Sequence, residues 1–255
     1  MDDLFSLAGR KALITGGSRG IGRMIAAGFL ARGATVYISS RKAPACDETA
    51  RQLCALGPCF SLPADVSTVE GARGLAAAYC NREPVLDILV NNAGAAWGES
   101  FGTFPENGWD KVVDLNLKSP FFLTQALHEQ LRAAAKARPA KVINIASIDG
   151  ISVNPQETYS YAASKAGLIH LTRRMSLRLV QDNIVVSGIA PGAFASDMNK
   201  LARDHAGEVS RHIPAGRIGT DDDMAGVAIY LASRAGDYVV GQTIVVDGGV
   251  TIARG

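Results

Sequence analysis

The stretch Thr15-Gly16-Gly17-Ser18-Arg19-Gly20-Ile21-Gly22 follows a short apolar run and leads directly into a segment of helical periodicity. Glycines at such a strand-to-helix turn let the backbone approach a pyrophosphate closely. The free N–H groups and the positive dipole end of the helix favour an anion at the same place. The stretch therefore predicts a dinucleotide site at the first βα junction. A glycine turn without a ligand is the alternative interpretation.

On either side of this loop, short apolar runs alternate with longer helical patterns, which is typical of βαβ units in a parallel sheet. The pattern predicts one α/β domain over residues 1–255: a Rossmann fold whose doubly wound, seven-stranded parallel sheet carries helices on both faces. The predicted strands are Lys11–Thr15, Thr35–Ser39, Cys59–Pro63, Leu86–Asn91, Lys141–Ala146, Ile184–Ile189 and Thr243–Val246. The predicted helices are Ile21–Arg32, Pro44–Leu56, Thr68–Cys80, Pro105–Ala135, Tyr159–Gln181 and Asp221–Ser233.

Composition narrows the class of protein. Charged residues make up 20% of the 255 residues and the net charge is +2, with both signs interspersed, so we expect no nucleic-acid partner. The N-terminus is acidic and no apolar run is long enough to span a bilayer, so we expect no membrane association and a cytoplasmic location.

The cysteines form no CxxC pair near histidines, which predicts reduced thiols and no metal site. They are Cys46, Cys54, Cys59 and Cys80.

The residues that end the second predicted strand bear on the choice of cofactor. An acidic residue there binds the ribose 2′-OH of NAD and repels a 2′-phosphate. This chain has Ser39-Ser40-Arg41-Lys42 instead. Together with Arg19 in the glycine loop, the basic side chains predict recognition of a 2′-phosphate, and hence NADP(H). Each of these cations is alternatively an ordinary surface charge.

Tyr161 and Lys165 are four residues apart in a predicted helix, so their side chains share one face. A tyrosine is a poor base at neutral pH unless a nearby cation favours the phenolate, and the lysine can supply that charge. Tyr159 is rotated away from the lysine and is the weaker candidate. The pair predicts an acid/base centre for hydride transfer to or from a carbonyl carbon. By itself the spacing also fits a surface helix pair.

Polar residues follow two strands at the carboxyl edge of the predicted sheet, where ligands bind in such folds. The fourth strand ends in Asn91-Asn92-Ala93-Gly94, and Ser147 follows the fifth. The Ser147 hydroxyl can hold a substrate oxygen beside Tyr161, unless it only caps the strand. The segment 191–220, rich in glycine and proline, interrupts the alternation and predicts a lid on the substrate side. An irregular surface insertion is the alternative.

The chain resembles a classical short-chain dehydrogenase/reductase over essentially its whole length. Within that family it is most similar to NADPH-dependent 3-oxoacyl (β-ketoacyl) reductases of the rhamnolipid-synthesis type, in FSLAGR, GGSRGIG, NNAG followed by a tryptophan, and VINIASI. The matching features are Thr15–Gly22, Asp65-Val66, Asn91-Asn92-Ala93-Gly94, Ser147, Tyr161 with Lys165, Pro191-Gly192 and Asp247-Gly248-Gly249.

The resemblance implies a role for each matching residue. Tyr161 would be the general acid/base, Lys165 its pKa modifier and ribose ligand, and Ser147 the anchor of the substrate oxygen. Asp65 would face the adenine and Asn91 the adenosine ribose region, while Ile189 to Ser196 would face the nicotinamide. The implied cofactor contacts are Gly16, Ser18, Arg19, Gly20, Ile21, Gly22, Ser40, Arg41, Asp65, Val66, Asn92, Ala93, Gly94, Tyr161, Lys165, Pro191, Gly192 and Ser196.

The fourth member of the family's catalytic set is an asparagine that matches Asn116. Pro120, four residues later, has no N–H, so the helical hydrogen bond to the Asn116 carbonyl cannot form. The free carbonyl is predicted to bind a water that relays protons from Lys165 to solvent. A proline kink without catalytic meaning is the alternative.

The expected reaction is NADPH-dependent reduction of a carbonyl, such as a 3-oxoacyl thioester, to a secondary alcohol. We also keep open a reductase of another ketone (alicyclic, steroid-like or xenobiotic) and a non-catalytic NADP(H)-binding regulator. The resemblance implies a homotetramer, or a homodimer, formed through the two longest helices and the C-terminal strand. The residues expected to line the substrate side are Trp97, Ile148, Pro155, Gln156, Phe194 and Met198.

Overall fold

A computed structural model of the chain describes residues 3–253. Seven strands form one all-parallel sheet in the order β3-β2-β1-β4-β5-β6-β7. The chain moves outward from β1 to β3 and then returns to place β4 beside β1, so a crevice opens between their carboxyl ends. The predicted doubly wound sheet is confirmed. Its strands are β1 (Lys11–Thr15), β2 (Thr35–Ser39), β3 (Cys59–Ser61), β4 (Ile88–Asn91), β5 (Ala140–Ile145), β6 (Ile184–Pro191) and β7 (Thr243–Val246).

Helices cover both faces of the sheet because side chains alternate between its faces along each strand. Ile14 of β1 packs into a core with α1 and α10, whereas its neighbour Leu13 packs into the opposite core with α3, α5 and α6. The helices are α1 (Gly20–Ala31), α2 (Ala43–Leu53), α3 (Val69–Cys80), α4 (Glu106–Val113), α5 (Ser119–Ala126), α6 (His128–Ala135), α7 (Tyr159–Leu179), α8 (Lys200–Asp204), α9 (Ala206–Ser210), α10 (Asp221–Ala232) and α11 (Val250–Ala253).

The prediction of one continuous helix over Pro105–Ala135 is wrong. The helix is interrupted by a π-helical turn, Asp114–Lys118, in which the Ser119 N–H donates to the Asp114 carbonyl five residues back. Pro120 cannot donate a helical hydrogen bond, and the widened turn directly precedes it. A second break separates α5 from α6 at Leu127, whose φ of −100° and ψ of 7° lie outside the helical range.

Smaller differences concern the ends of elements. β3 ends at Ser61, two residues before Pro63, which has no N–H to donate to β2. β6 runs two residues beyond the predicted end, to Pro191, where it still pairs with β7. These shifts leave the order of strands and the positions of the strand ends near the crevice unchanged.

The segment 191–220 contains α8 and α9 and is attached to β7 and to the residues that follow it. The Gly192 N–H donates to the Val246 carbonyl of β7 at 2.9 Å, and the Ala215 N–H donates to the Gly248 carbonyl at 3.0 Å. Between Asp3 and Ala253, no helix is both long and apolar enough to cross a membrane. The segment is therefore a packed excursion over the carboxyl edge of the sheet, and its action as a lid stays a prediction.

Candidate active site and cofactor cleft

The glycine loop is held in place from the neighbouring strand. Thr15 Oγ1 accepts hydrogen bonds at 3.0 Å from the N–H groups of both Asn92 and Ala93. The Asn92 amide donates in return to the carbonyls of Thr15 and Gly16, at 2.9 and 3.2 Å. A Cβ on Gly22 would lie 2.4 Å from the Gly16 carbonyl oxygen, so this close turn requires glycine. The Asn92 side chain thus positions the loop.

The N-terminus of α1 opens toward the crevice. Its N-cap residue, Arg19, is extended and makes no side-chain cap, so the first N–H groups of the helix are not satisfied by a side chain. Gly20 has φ +51°, and a Cβ there would lie 3.2 Å from the Ser196 side chain of the segment 191–220. The loop and that segment therefore face each other across a gap bordered by free N–H groups. This arrangement fits a pyrophosphate.

The end of β2 offers polar groups without partners. The hydroxyl oxygens of Ser39 and Ser40 are buried and have no hydrogen-bond partner within residues 3–253. Arg41 follows them, with its guanidinium 4.0 Å from the Asp65 carboxylate. Buried hydroxyls without partners are costly, so the pocket fits a ligand with several oxygen atoms, such as a ribose 2′-phosphate.

The Arg19 side chain forms an ion pair away from the end of β2. Its guanidinium pairs at 2.5 Å with Asp197, which also accepts a hydrogen bond from Arg203 at 2.6 Å. The sequence pattern contained no signal for Asp197, because the ion pair joins two segments far apart in the chain. In this arrangement Arg19 ties the glycine loop to the segment 191–220 rather than pointing freely toward Arg41.

The reactive side chains meet where β5 ends. The Ser147 hydroxyl lies beside the Tyr161 phenol, close enough to lower the pKa of that group, and Tyr161 is half-buried on the first turn of α7. The Lys165 ammonium lies 5.7 Å from the centroid of the Tyr161 ring and donates to the Ile145 carbonyl at 2.7 Å. A hydroxyl pair beside a buried cation can polarise a carbonyl oxygen and deliver a proton to it.

Burial is the largest influence on the pKa of Tyr161, and the role of Lys165 as its pKa modifier stays a prediction. Burial raises the pKa of Tyr161 to about 12; the Ser147 hydroxyl opposes this, and the Asp149 carboxylate adds to it. Burial also lowers the pKa of Lys165 to about 8. The low-dielectric surroundings disfavour both charges, so the two pKa values move apart and each group is shifted toward its neutral form. Tyr161 is therefore set up as a neutral proton donor, which suits carbonyl reduction.

Asn116 lies in the π-helical turn, and both the oxygen and the nitrogen of its side-chain amide form hydrogen bonds. Its Oδ1 accepts from the Ala95 N–H at 2.8 Å, while its Nδ2 donates to the Ala95 carbonyl at 2.9 Å and to the Ser164 hydroxyl at 3.0 Å. A Cβ on Gly94 would lie 3.2 Å from Asn116 Oδ1 and 3.8 Å from Lys165 Nζ. Asn116 therefore lies near Lys165, and the water relay from its carbonyl stays a prediction. Ser164, which sequence reasoning missed, lies within the same Tyr161–Lys165 motif.

Asn91, expected to face the adenosine ribose, has its side chain inside the fold. Its amide donates to Asn144 Oδ1 at 2.9 Å and to Thr124 Oγ1 at 3.3 Å. Asn144 donates in turn to Thr172 Oγ1 at 2.9 Å. This buried polar network joins β4 and β5 to α5 and α7 behind the site. The Asn91 side chain is accordingly committed to its neighbours, and the position of Asn91 at the adenosine ribose stays a prediction.

The six residues expected to line the substrate side divide into three groups. Phe194 is buried and packs on Gly219, and Ile148 is buried against Ile213 and Val250, so both support the segment 191–220 from inside. The Trp97 ring packs against Gly108 and under the Lys111 ammonium. Pro155, Gln156 and Met198 are exposed around the cleft. For Phe194 and Ile148 the expectation is corrected, because apolar residues beside a cleft bury themselves in the nearest core.

Comparison with known proteins gives the family. Residues 16–251 match a family model described as enoyl-(acyl carrier protein) reductase. The chain is 49% identical over 253 residues to the rhamnolipids biosynthesis 3-oxoacyl-[acyl-carrier-protein] reductase of Pseudomonas aeruginosa, covering 98% of this chain and 99% of the relative. The chain belongs to the short-chain dehydrogenase/reductase family. It is accordingly an oxidoreductase, and the predicted class of enzyme is confirmed.

Other members of the family are similar along the whole chain. A 2-dehydro-3-deoxy-D-gluconate 5-dehydrogenase of Escherichia coli is 39% identical, with 96% of each chain covered. Among solved structures, the RhlG/NADP active-site complex of Pseudomonas aeruginosa has a TM-score of 0.95 and 47% identity, covering 98% of this chain and 100% of the other. A gluconate 5-dehydrogenase of Burkholderia cenocepacia with NADP and tartrate has a TM-score of 0.90 and 34% identity, covering 98% of each.

Proposed function

We propose that this protein uses NADPH to reduce the 3-oxo group of an acyl thioester to a 3-hydroxy group. The observation that carries the proposal is the hydroxyl pair of Ser147 and Tyr161 beside the buried Lys165. The similarity to a 3-oxoacyl-[acyl-carrier-protein] reductase at 49% identity supports the choice of substrate class. The cofactor supplies the hydride when bound.

The protein's own residues then have separate tasks. Ser147 accepts a hydrogen bond from the Asp149 N–H at 3.1 Å, so its own proton remains available for the substrate oxygen. Tyr161, neutral at physiological pH, donates the proton that completes the alcohol. Lys165 supplies positive charge within the site while its pKa of about 8 keeps it mostly protonated at neutral pH. Asn116, with Gly94 beside it, supports the Lys165 end of the site.

The reaction is tested by following NADPH oxidation with a 3-oxoacyl thioester and with a panel of alicyclic, steroid-like and xenobiotic ketones. We expect the highest kcat/KM for the thioester. A higher kcat/KM for one of the other ketones would assign the protein to that substrate class instead. Tight NADPH binding without turnover of any ketone would identify a regulator. A sugar-acid ketone belongs in the panel because the gluconate dehydrogenases are also similar in sequence.

The preference for NADP(H) rests on Ser39, Ser40 and Arg41, and the complexes of relatives with NADP support it. Replacing Arg41 by alanine should lower kcat/KM for NADPH about tenfold, because a charge-assisted hydrogen bond is lost, and leave the value for NADH unchanged. Arg51→Ala, which removes an exposed arginine paired with Glu48 on α2, is the matched control. A wild-type kcat/KM that is higher with NADH than with NADPH would contradict the assignment.

We infer a homotetramer, or a homodimer, from the family resemblance and from apolar side chains on the outer surface. Trp109 of α4, Phe121 of α5 and Leu177 of α7 are exposed. Size-exclusion chromatography with light scattering measures the mass directly, and a monomer at micromolar concentration would refute the inference. A cytoplasmic location is supported by the four cysteines, all of which are free.

A further inference from the structure

Asp149 is an acidic residue that the proposed reaction does not use, although it lies beside both reactive hydroxyls. It occupies the short helical turn Ile148–Gly150 directly after Ser147. A Cβ on Gly150 would lie 2.6 Å from the Lys165 carbonyl carbon, so the turn is packed on the helix that carries Tyr161. Asp149 is thus held at a fixed place relative to the site.

One contact connects Asp149 directly to the chemistry: its N–H donates to Ser147 Oγ at 3.1 Å, which orients the serine hydroxyl and fixes the residue beside it. The charge of its carboxylate also raises the pKa of the Tyr161 phenol, in the same direction as burial. The other charged group facing Tyr161 is Lys165, whose ammonium is turned to the Ile145 carbonyl. The negative charge of Asp149 is therefore not cancelled by a direct ion pair with that lysine.

The position of the substrate follows from the two hydroxyls. A carbonyl oxygen that accepts hydrogen bonds from Ser147 and Tyr161 places its carbon, and both substituents of that carbon, within a few ångströms of them. Because the Asp149 N–H is 3.1 Å from Ser147 Oγ, substituents next to a carbonyl bound by Ser147 lie near Asp149 as well. Like charges at such a distance repel each other strongly in a partly desolvated site.

We infer that Asp149 is a specificity-determining residue that discriminates against substrates with a carboxylate next to the reacting carbonyl. The inference rests on the proposed carbonyl reduction, and it deepens that proposal by stating the charge of the substrate. A neutral ester or thioester beside the 3-oxo group is accepted, whereas the corresponding keto acid is repelled. The substrate class is thereby a ketone that is uncharged around its carbonyl.

The experiment compares a neutral and an anionic form of the same 3-oxo compound, ethyl 3-oxobutanoate and 3-oxobutanoate, by kcat/KM with NADPH. In Asp149→Asn we expect kcat/KM for the anion to rise about fivefold and that for the ester to change less than about twofold. Asp149→Glu keeps the charge and should keep the wild-type ratio. Asp110→Asn, which removes an exposed carboxylate from α4, is the matched control and should also leave the ratio unchanged.

A second readout is the pH profile of the reverse reaction, which needs the Tyr161 phenolate. Because the Asp149 charge raises the pKa of Tyr161, its removal should shift the rising limb for oxidation of ethyl 3-hydroxybutanoate to lower pH, by about half a unit. Tyr161 faces Asp149 and Lys165, and the matched Asp110→Asn variant leaves both of these in place.

A measurement on the wild-type protein alone covers the case in which Asp149→Asn fails to fold. Raising ionic strength should improve the relative efficiency with the anion, because salt screens the repulsion. Equal changes for both substrates in Asp149→Asn, or a ratio insensitive to salt, would overturn the inference. The ratio is measured on any matched neutral and anionic ketones that the enzyme reduces. Failure with 3-oxoacyl thioesters alone would therefore refute the proposed substrate and still leave the charge preference measurable.

Discussion

Lys165 and Lys141 are both buried at the ends of β5, but on opposite edges of the sheet and in different surroundings. Lys141, 1% exposed, pairs with the Asp237 carboxylate at 2.7 Å at the amino edge. Lys165, 4% exposed, lies at the carboxyl edge, where its ammonium donates to the Ile145 carbonyl. Burial lowers the pKa of both lysines, and for Lys141 the partner carboxylate opposes this effect.

The difference separates a lysine whose charge supports the fold, Lys141, from a lysine whose charge is available to the reaction, Lys165. At the amino edge, the neighbouring Arg10 and Asp87 add a second buried pair, so cations and carboxylates compensate each other there. At the carboxyl edge, no carboxylate within residues 3–253 forms an ion pair with Lys165, so its charge remains available to the site. An uncompensated buried charge costs stability and is retained where the chemistry requires it.

The largest expected effect is at Tyr161, the proton donor beside this free charge. Tyr161→Phe should lower kcat for reduction about a thousandfold, because no hydroxyl remains to protonate the substrate oxygen. Tyr159→Phe is the matched control, since its phenol bonds to Glu157 two residues away and should change kcat less than about twofold. Circular dichroism and the Tm verify the fold of both variants. Near-normal turnover of Tyr161→Phe would refute the role of Tyr161 as the proton donor.

Lys165→Met should lower kcat about a hundredfold and raise stability. Burial lowers the pKa of Lys165 from its ordinary value of 10.5 to about 8 in the folded chain. Between these two pH values, the folded state therefore binds fewer protons than the unfolded state. The destabilisation is fully present below pH 8 and fades as pH rises toward 10.5. Replacement by methionine should therefore raise the free energy of unfolding at pH 7, by on the order of 1–2 kcal/mol. Urea unfolding at pH 7 and at pH 10 measures this difference.

Lys141→Met should have the opposite effect on stability. It leaves Asp237 without its partner and should lower the free energy of unfolding by about 2 kcal/mol, a reduced figure because Asp237 is one-third exposed. Turnover should stay within about twofold of wild type, since the residue is at the far edge of the sheet. If Lys141→Met and Lys165→Met change stability in the same direction, the distinction between the two lysines is not one of charge compensation.

The smallest expected effect concerns the π-helical turn. Pro120→Ala restores an N–H that can donate to the Asn116 carbonyl, and should slow turnover about threefold by withdrawing that carbonyl from the water relay. The matched control is Thr124→Ser, which keeps the hydroxyl that bonds the Pro120 carbonyl at 2.7 Å. Unchanged kinetics of Pro120→Ala with an intact fold would show the proline to be only a kink.

Much of the site was predictable because motifs that follow strands must meet at one edge of a parallel sheet. Ser147, Tyr161, Lys165 and the glycine loop are placed by the order of elements alone. The helix over Pro105–Ala135 was predicted wrongly because its apolar periodicity continues through the π-helical turn and through the break at Leu127. Periodicity records which faces are apolar, not which backbone hydrogen bonds form.

Pairings between distant residues explain the remaining differences. Arg19 with Asp197, and Asn91 with Asn144, join residues from separate elements and have no local signature. Phe194 and Ile148 are apolar residues near a cleft, and only the packing of the segment 191–220 shows that they face a core.

The sequence by itself determined the parallel sheet and the positions of the glycine loop and of the proposed catalytic residues, because strand alternation and helical spacing are local properties of the chain. The tertiary structure alone decided the electrostatics: which lysine is paired with a carboxylate, that burial raises the pKa of Tyr161 to about 12, and that Asp149 adds to this effect. Charge and desolvation depend on everything within several ångströms of a group, and most of those neighbours come from elsewhere in the chain.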